Sequence, residues 1–218
     1  MRKEEAMANI CEYTMRIRGK GKDLQKFVAY LSADYSISHD DKKAWCSSEH
    51  HIGYRVFDVW GSEELLFIEN EQEATIEIYG DCAWSLVTCL MDDEVSGYLK
   101  QNRESDPYVW SLKEASANLN LDIEAYSREC GMEFAEHIFY KSGAIIVDEC
   151  VDYMEVCIED YETYEDFLND SELDEEIKRS ISKTRFDETR HHGSDYVFIC
   201  EYDFYHLKWR LEDVRFHS

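Results

Sequence analysis

The sequence predicts an α+β protein, built from short strands and amphipathic helices that alternate along the chain. Hydrophobic residues make up 44% of the chain and include fifteen Tyr, ten Phe and five Trp. That content is enough for a core, so the formal net charge of −25 indicates a folded acidic protein and not a disordered one. From the length of 218 residues we expect a domain over residues 7–150 and an extension over residues 151–218 packed on it.

The first two predicted elements are a strand and a helix. Residues 11–18 alternate as CEYTMRIR, with apolar side chains on one side, which is a strand pattern. A turn at residues 19–21 follows, and Asp23 is placed to cap a helix. The apolar residues of this helix recur at helical spacing on one face: Leu24, Phe27, Val28 and Leu31.

Strands dominate the middle of the chain, with two helices after them. Residues 54–60 and 64–69 have strand composition and are joined at Gly61, and residues 73–79 alternate cleanly. Asp81 is placed to cap a helix over residues 82–91. Ser111 and Glu114 have the spacing of a capping box, which predicts a short helix through residue 118.

Paired strands complete this part of the chain. They are predicted over residues 121–128, 134–140 and 144–151, and the last two are joined by a turn at residues 141–143. The predicted order is β-α-β(β)-α-β with an added hairpin. We expect residues 11–18, 73–79 and 121–128 in one sheet that is mainly antiparallel, with helices covering one face.

Several short motifs in residues 7–150 resemble the YubB-like family. The opening MANICE at residues 7–12 precedes a strand, Gly19 and a helix, and LNLDI at 119–123 is followed by Tyr126, Glu129 and GMEFA at 131–135. Glu136 departs from the family pattern, which has Gly after the equivalent of Ala135. The resemblance implies a ferredoxin-like β-α-β-β-α-β sheet with one face covered by helices. Members recur on plasmids and phages, and the resemblance brings no activity to transfer.

The extension over residues 151–218 is predicted to be structured. Residues 163–168 and 171–182 have helical patterns, and Ser171 is placed to cap the second helix. Residues 195–205 and 207–216 are rich in aromatic and β-branched residues and predict a closing strand pair. The prediction is therefore an acidic helical segment followed by a β-hairpin.

Fourteen carboxylates and no Lys or Arg lie between residues 148 and 176. So negative a surface repels nucleic acid and anionic lipid and attracts basic protein surfaces. We therefore expect a basic protein partner, such as a CRISPR effector or another nucleic-acid-binding nuclease, and neither direct nucleic-acid binding nor membrane binding. The predicted partner-binding residues are Asp152, Glu155, Glu159, Asp160, Tyr161, Glu162, Tyr164, Glu165, Asp166 and Asp170.

Three functions are compatible with this acidic run. The leading one is a stoichiometric inhibitor from a mobile element, of the anti-CRISPR type, whose carboxylates imitate phosphates while aromatic residues anchor the contact. The second is an acidic accessory or regulatory module that binds a partner without competing with nucleic acid. The third is an uncharacterised enzyme. A face that only keeps the protein soluble is the plain alternative to all of them.

No motif in the sequence indicates catalysis, a metal or a cofactor. Phosphate loops, nucleophile elbows and zinc-protease motifs are absent, and the acid–base candidates are Glu129 or Asp81 with His137 or a cysteine. The eight cysteines have no CxxC spacing, so we expect reduced and mostly buried thiols. Residues 1–5 lack the apolar stretch of a signal peptide, which predicts residence in the cytoplasm.

Overall fold

The computed structural model confirms a mixed α+β protein with an antiparallel sheet. It describes residues 9–32, 50–91, 99, 106, 108–191, 193–204 and 206–211. The strands are β1 (Ile10–Lys20), β2 (His51–Ile52), β3 (Val56–Trp60), β4 (Glu73–Ala83), β5 (Val109–Trp110), β6 (Asp122–Glu129), β7 (Phe134–Lys141), β8 (Ala144–Cys157) and β9 (Tyr196–Cys200). The helices are α1 (Gly21–Leu31), α2 (Leu86–Leu90), α3 (Leu112–Asn118), α4 (Tyr164–Asn169), α5 (Glu175–Ser180) and α6 (Lys183–His191).

Seven strands form the main sheet, in the order β3-β4-β1-β6-β7-β8-β9, and all neighbours are antiparallel. β2 and β5 form a separate parallel pair. The prediction that residues 11–18, 73–79 and 121–128 share one sheet is confirmed, because they lie in the adjacent strands β4, β1 and β6. The predicted hairpin turn at residues 141–143 is also confirmed, and Ser142 and Gly143 take the positive φ values that such a turn requires.

One face of the sheet, the inner face, packs against α1, α2 and α3. Tyr13, Met15 and Ile17 of β1 point to this side, and Leu24 and Phe27 of α1 pack with them in the main core. The capping box predicted for α3 is confirmed in both directions between Ser111 and Glu114. The opposite side is called the outer face below.

The region around residue 81 differs from the prediction of a helix capped by Asp81. β4 continues to Ala83, because Asp81 and Cys82 pair with Glu12 and Cys11 in β1. Cross-strand pairing therefore overrides the capping signal. Helix α2 begins only at Leu86, where the Ser85 hydroxyl accepts a hydrogen bond from the Thr88 amide at 2.9 Å.

The strand predicted over residues 64–69 is also wrong, since the chain forms a 3₁₀ helix over Ser62–Phe67. Gly61 has φ 85°, a left-handed conformation that turns the chain out of β3 and into this helix. The composition of residues 64–69 suits a strand, but the turn leaves these residues no neighbouring strand to pair with.

Strand β8 runs through residue 151 and is longer than predicted, because its second half pairs with β9. Helix α5 begins after Asp174, whose carboxylate accepts a hydrogen bond from the Glu176 amide, so Ser171 is not its cap. Helix α6 was not predicted. The expected closing strand pair is wrong for residues 207–211, which are irregular and lie against the outer face; residues 212–216 of that prediction lie outside the described part of the chain.

The prediction of mostly buried cysteines is only partly right. Cys11, Cys82 and Cys89 are fully buried in the main core. Cys130, Cys150 and Cys157 are exposed, and Cys200 is half-buried; all seven are free thiols. The remaining Cys46 lies outside the described residues. The exposed cysteines occur on or beside β8.

Candidate functional site

The predicted partner-binding residues lie on a folded scaffold with its own core. Residues 158–191, called the acidic unit below, pack on β8 and β9 through α4, α5 and α6. The buried residues of this second core are Val156, Ile158, Phe167, Ile181, Phe186 and Val197. Apolar burial of this kind fixes the positions of the helices and hence of the carboxylates they carry.

Tyr161 and Tyr164, the predicted aromatic anchors, pack against this second core. The Tyr161 hydroxyl donates to Asp170 Oδ2 at 2.5 Å, and this hydrogen bond raises the pKa of Tyr161 to about 12. The Tyr164 hydroxyl donates to the Ile181 carbonyl at 2.7 Å, and its ring stacks on Phe167. Both side chains are half-buried, so the structure gives them a packing role; their contact role stays a prediction.

Five of the predicted carboxylates are exposed and have no side-chain partner among the residues that the structure describes. The side chains of Asp152, Glu159, Asp160, Glu162 and Glu165 make no hydrogen bond or ion pair within the described residues. Four of them fall between the end of β8 and the first turn of α4, whereas Asp152 lies further back on β8. The unpaired charge is therefore concentrated over residues 159–165.

The other three predicted carboxylates have structural partners. Asp166 closes a capping box with Thr163 at the start of α4. Asp170 accepts from Tyr161 and from the Glu172 amide, and the hydrogen bond from Tyr161 is the main cause that lowers its pKa. Glu155 accepts from the Tyr153 hydroxyl and the Cys130 thiol, each at 2.9 Å. Changing these three would disturb the local structure as well as the charge.

A second group of polar side chains, on the outer face, was missed by the sequence analysis. Glu124 of β6 is fully buried, and its carboxylate accepts hydrogen bonds from the backbone amides of Arg210 and Leu211 at 2.7–3.0 Å. His137 Nε2 lies 2.9 Å from Glu124 Oε1. The available signal was the alternation in β6, because Glu124, Tyr126 and Arg128 share one side of a predicted strand.

This arrangement at Glu124 holds residues 208–211 on the sheet. Burial alone would raise the pKa of Glu124, but the hydrogen bonds from His137, Leu211 and Arg210 outweigh burial and lower it. The Tyr126 ring stacks on His137 with centroids 4.0 Å apart, and its hydroxyl donates to the Lys208 carbonyl. Both carboxylate oxygens of Glu124 thus accept hydrogen bonds from the chain segment that crosses the sheet there.

The structure does not bring His137 to Glu129 or Asp81. His137 contacts Glu124, and its Nδ1 lies 3.8 Å from Glu149 Oε2; it contacts neither Glu129 nor Asp81. Glu129 accepts hydrogen bonds from the backbone amides of Gly131 and Met132 and so stabilises the turn between β6 and β7.

None of the helices in the described part of the chain is long and apolar enough to cross a membrane. No family model, curated protein or solved structure matches the chain.

Proposed function

We propose that the acidic unit binds a basic nucleic-acid-binding protein and blocks it stoichiometrically, as an anti-CRISPR-type inhibitor from a mobile element does. The observation that supports this most is the set of unpaired exposed carboxylates at Glu159, Asp160, Glu162 and Glu165 on a folded scaffold. A basic channel that normally binds phosphates would gain the same kind of charge contacts from them.

The folded scaffold favours this function over a merely solubilising face. A disordered acidic tail would pay the entropy of ordering when it bound, whereas carboxylates fixed by a packed core are already in place. Tyr161 and Tyr164 lie among the charged residues of the segment 159–165. Both are half-buried and hold the turn and α4 against Phe167. The backbone that carries these charges is therefore held in one arrangement, which a receptor channel can match.

The direct test is competition with DNA. A Cas9-type effector loaded with guide RNA is mixed with a fluorescent target duplex, and the protein is titrated against it while anisotropy is measured. We expect one equivalent of protein to release one equivalent of DNA, with an apparent affinity that falls steeply as salt rises, because exposed charges are screened within about 8 Å at physiological ionic strength. The same titration is then repeated with basic nucleases of other classes in place of the Cas9-type effector.

A second candidate is an accessory module that binds its partner without displacing nucleic acid. Leu66 and Phe67, at the end of the 3₁₀ helix, are 84% and 85% exposed. Two adjacent apolar side chains so exposed are suited to a protein contact that does not depend on charge. A ternary complex of effector, DNA and this protein in the anisotropy titration would favour this candidate over the inhibitor.

We also propose that residues 7–150 have a ferredoxin-like arrangement and are related to the YubB-like family, and that the protein acts in the cytoplasm. The order β3-β4-β1-β6, with α1 between β1 and β3 and α2 and α3 between β4 and β6, supports the ferredoxin-like part. β7, β8 and β9 then extend this sheet at one edge. A crystal structure of a YubB-like protein with a different strand order would count against the relationship.

A further inference from the structure

The outer face of the sheet carries two neighbouring cross-strand rows of distinct chemistry. The first row crosses β3, β4, β1 and β6 and consists of Asp58, Asp81, Glu12 and Arg128. The second row crosses the same four strands and consists of Trp60, Tyr79, Thr14 and Tyr126. One row is therefore mainly acidic, and the other is mainly aromatic.

Every residue of the two rows except Asp58 lines a cleft. Phe198 of β9 and Phe204 also line it, and the cleft has a volume of about 530 Å³. Sites for small ligands usually have about 300–1,000 Å³. The cleft is therefore large enough for a small molecule or for the end of a long side chain.

The acidic row has more negative charge than its own cation neutralises. Arg128 donates to Glu12 Oε2 from Nε at 2.9 Å and from Nη2 at 2.7 Å. Asp58 and Asp81 have no such side-chain partner among the described residues. They lie directly opposite each other on β3 and β4, and like charges in that position are destabilising. Burial, together with Glu12 and Asp58, raises the pKa of Asp81. A bound cation would relieve this repulsion.

The aromatic row offers ring faces beside that charge. Trp60 and Tyr79 are 44% and 51% exposed, and their ring centroids lie 5.8 Å apart. Aromatic faces attract cations within about 6 Å. Arg128 already makes such contacts in this cleft, since its guanidinium lies 5.2 Å from the Phe198 ring and 5.3 Å from the Phe204 ring while it pairs with Glu12.

We propose that this cleft binds an organic cation, an ammonium or guanidinium group, between the Trp60 and Tyr79 rings and the Asp81 carboxylate. The combination of ring faces with carboxylates suits an organic cation better than a metal ion, and no group of three or more His, Cys, Asp or Glu side chains in the described residues is placed to hold a metal. The site is separate from the acidic unit, and its occupation does not depend on the proposed inhibitor function.

Calorimetric titration of the full chain with N-acetyl-arginine amide tests the site. N-acetyl-citrulline amide, which has nearly the same shape and no charge, is the matched control ligand. We expect the arginine amide to bind with one-to-one stoichiometry and the citrulline amide to show no heat. Putrescine in a parallel arm distinguishes the source of the cation: tighter binding of putrescine indicates a free amine, and tighter binding of the arginine amide indicates a peptide side chain.

Two variants and a control locate the binding. Asp81→Asn should weaken the arginine amide by at least about tenfold, since it removes a charged hydrogen-bond acceptor, and Trp60→Leu by at least about threefold. Glu69→Gln removes an equal charge from an exposed position that does not line the cleft, and should change the affinity less than about twofold. Asp81→Asn removes like-charge repulsion, so it should fold as well as the parent, and circular dichroism checks this.

Several results would overturn the proposal. Equal heats from the arginine and citrulline amides would show that charge is not recognised. Equal losses from Asp81→Asn and Glu69→Gln would show only general attraction to an acidic protein. Absence of binding by the arginine amide and putrescine at 10 mM, roughly the weakest affinity such a site should have, would reject it outright.

Discussion

The acidic unit and the outer face of the sheet use carboxylates in opposite ways. In the acidic unit, Glu159, Asp160, Glu162 and Glu165 are exposed and have no side-chain partner within the described part of the chain. On the outer face, Glu124 is fully buried and accepts from two backbone amides and from His137. A cluster of carboxylates in a sequence thus indicates charge that is exposed to solvent. A single carboxylate on a strand can instead be buried and accept hydrogen bonds that hold neighbouring segments together.

The largest effect is expected where the acidic unit depends on its core. Phe167→Ala should lower the free energy of unfolding of the acidic unit by about 3–5 kcal/mol, because it leaves a cavity among the residues of the second core. Leu168→Ala is the matched control: Leu168 is adjacent in α4 but 39% exposed, and should cost less than about 1 kcal/mol. Hydrogen exchange of residues 158–191 measures both. Equal protection in the two variants would mean that the unit is not held by this core.

The next largest effect separates buried from exposed carboxylates. Glu124→Gln should cost about 2–3 kcal/mol in urea unfolding, because an amide oxygen accepts more weakly and its NH₂ group faces backbone donors. Glu165→Gln should change the free energy by no more than about 0.5 kcal/mol. If the two variants unfolded at the same urea concentration, the contrast between the two regions would not hold.

The pH dependence of stability tests the same contrast between buried and exposed carboxylates, because it changes the charge of Glu124 and leaves its shape unchanged. The pKa of Glu124 is lowered in the folded state, so its charged form stabilises the fold above the usual glutamate pKa, and this stabilisation is lost as the pH falls below about 4. The stability difference between the parent and Glu124→Gln should therefore shrink as the pH falls below about 4. Urea titrations at several pH values measure it, and a constant difference would contradict a lowered pKa.

The smallest effect concerns the hydroxyl of Tyr161. Tyr161→Phe removes the hydrogen bond to Asp170 and should cost about 1 kcal/mol or less in thermal unfolding. Tyr164→Phe, which loses the bond to the Ile181 carbonyl, provides the comparison. Both variants should retain partner binding if the rings only support the scaffold. A variant of unchanged stability that loses binding would instead make that hydroxyl a contact group.

Local patterns predicted much of the fold. The alternation in residues 11–18, 73–79 and 121–128 identified three adjacent strands, and the Ser111–Glu114 spacing identified a cap. These signals depend only on nearby residues. Asp81 was misassigned as a cap because its pairing partner Glu12 is distant in the sequence. The same limit applies to the 3₁₀ helix after Gly61, which lacks a partner strand.

The candidate sites show the same division. The exposed carboxylates of the acidic unit could be predicted, because unpaired charge density is visible along the chain. The hydrogen bonds of Asp166 and Asp170, and the burial of Tyr161 and Tyr164 against Phe167, could not be predicted, because they arise only when α4 packs on the second core. Glu124 and the acidic row at Asp81 require the register of the strands, which a single sequence does not give.

Association kinetics of two charge-reversed proteins tests the central claim most directly. One protein carries Glu159→Lys, Asp160→Lys and Glu162→Lys, which avoid the capping residues of α4. The control carries Glu63→Lys, Glu69→Lys and Glu73→Lys, three exposed positions elsewhere with the same change in net charge. Binding to an effector displaced from DNA by the parent protein is followed by stopped flow. We predict that the first protein associates at least about tenfold more slowly while the control stays within about threefold of the parent, and equal rates for the two proteins would contradict a binding role for the acidic unit.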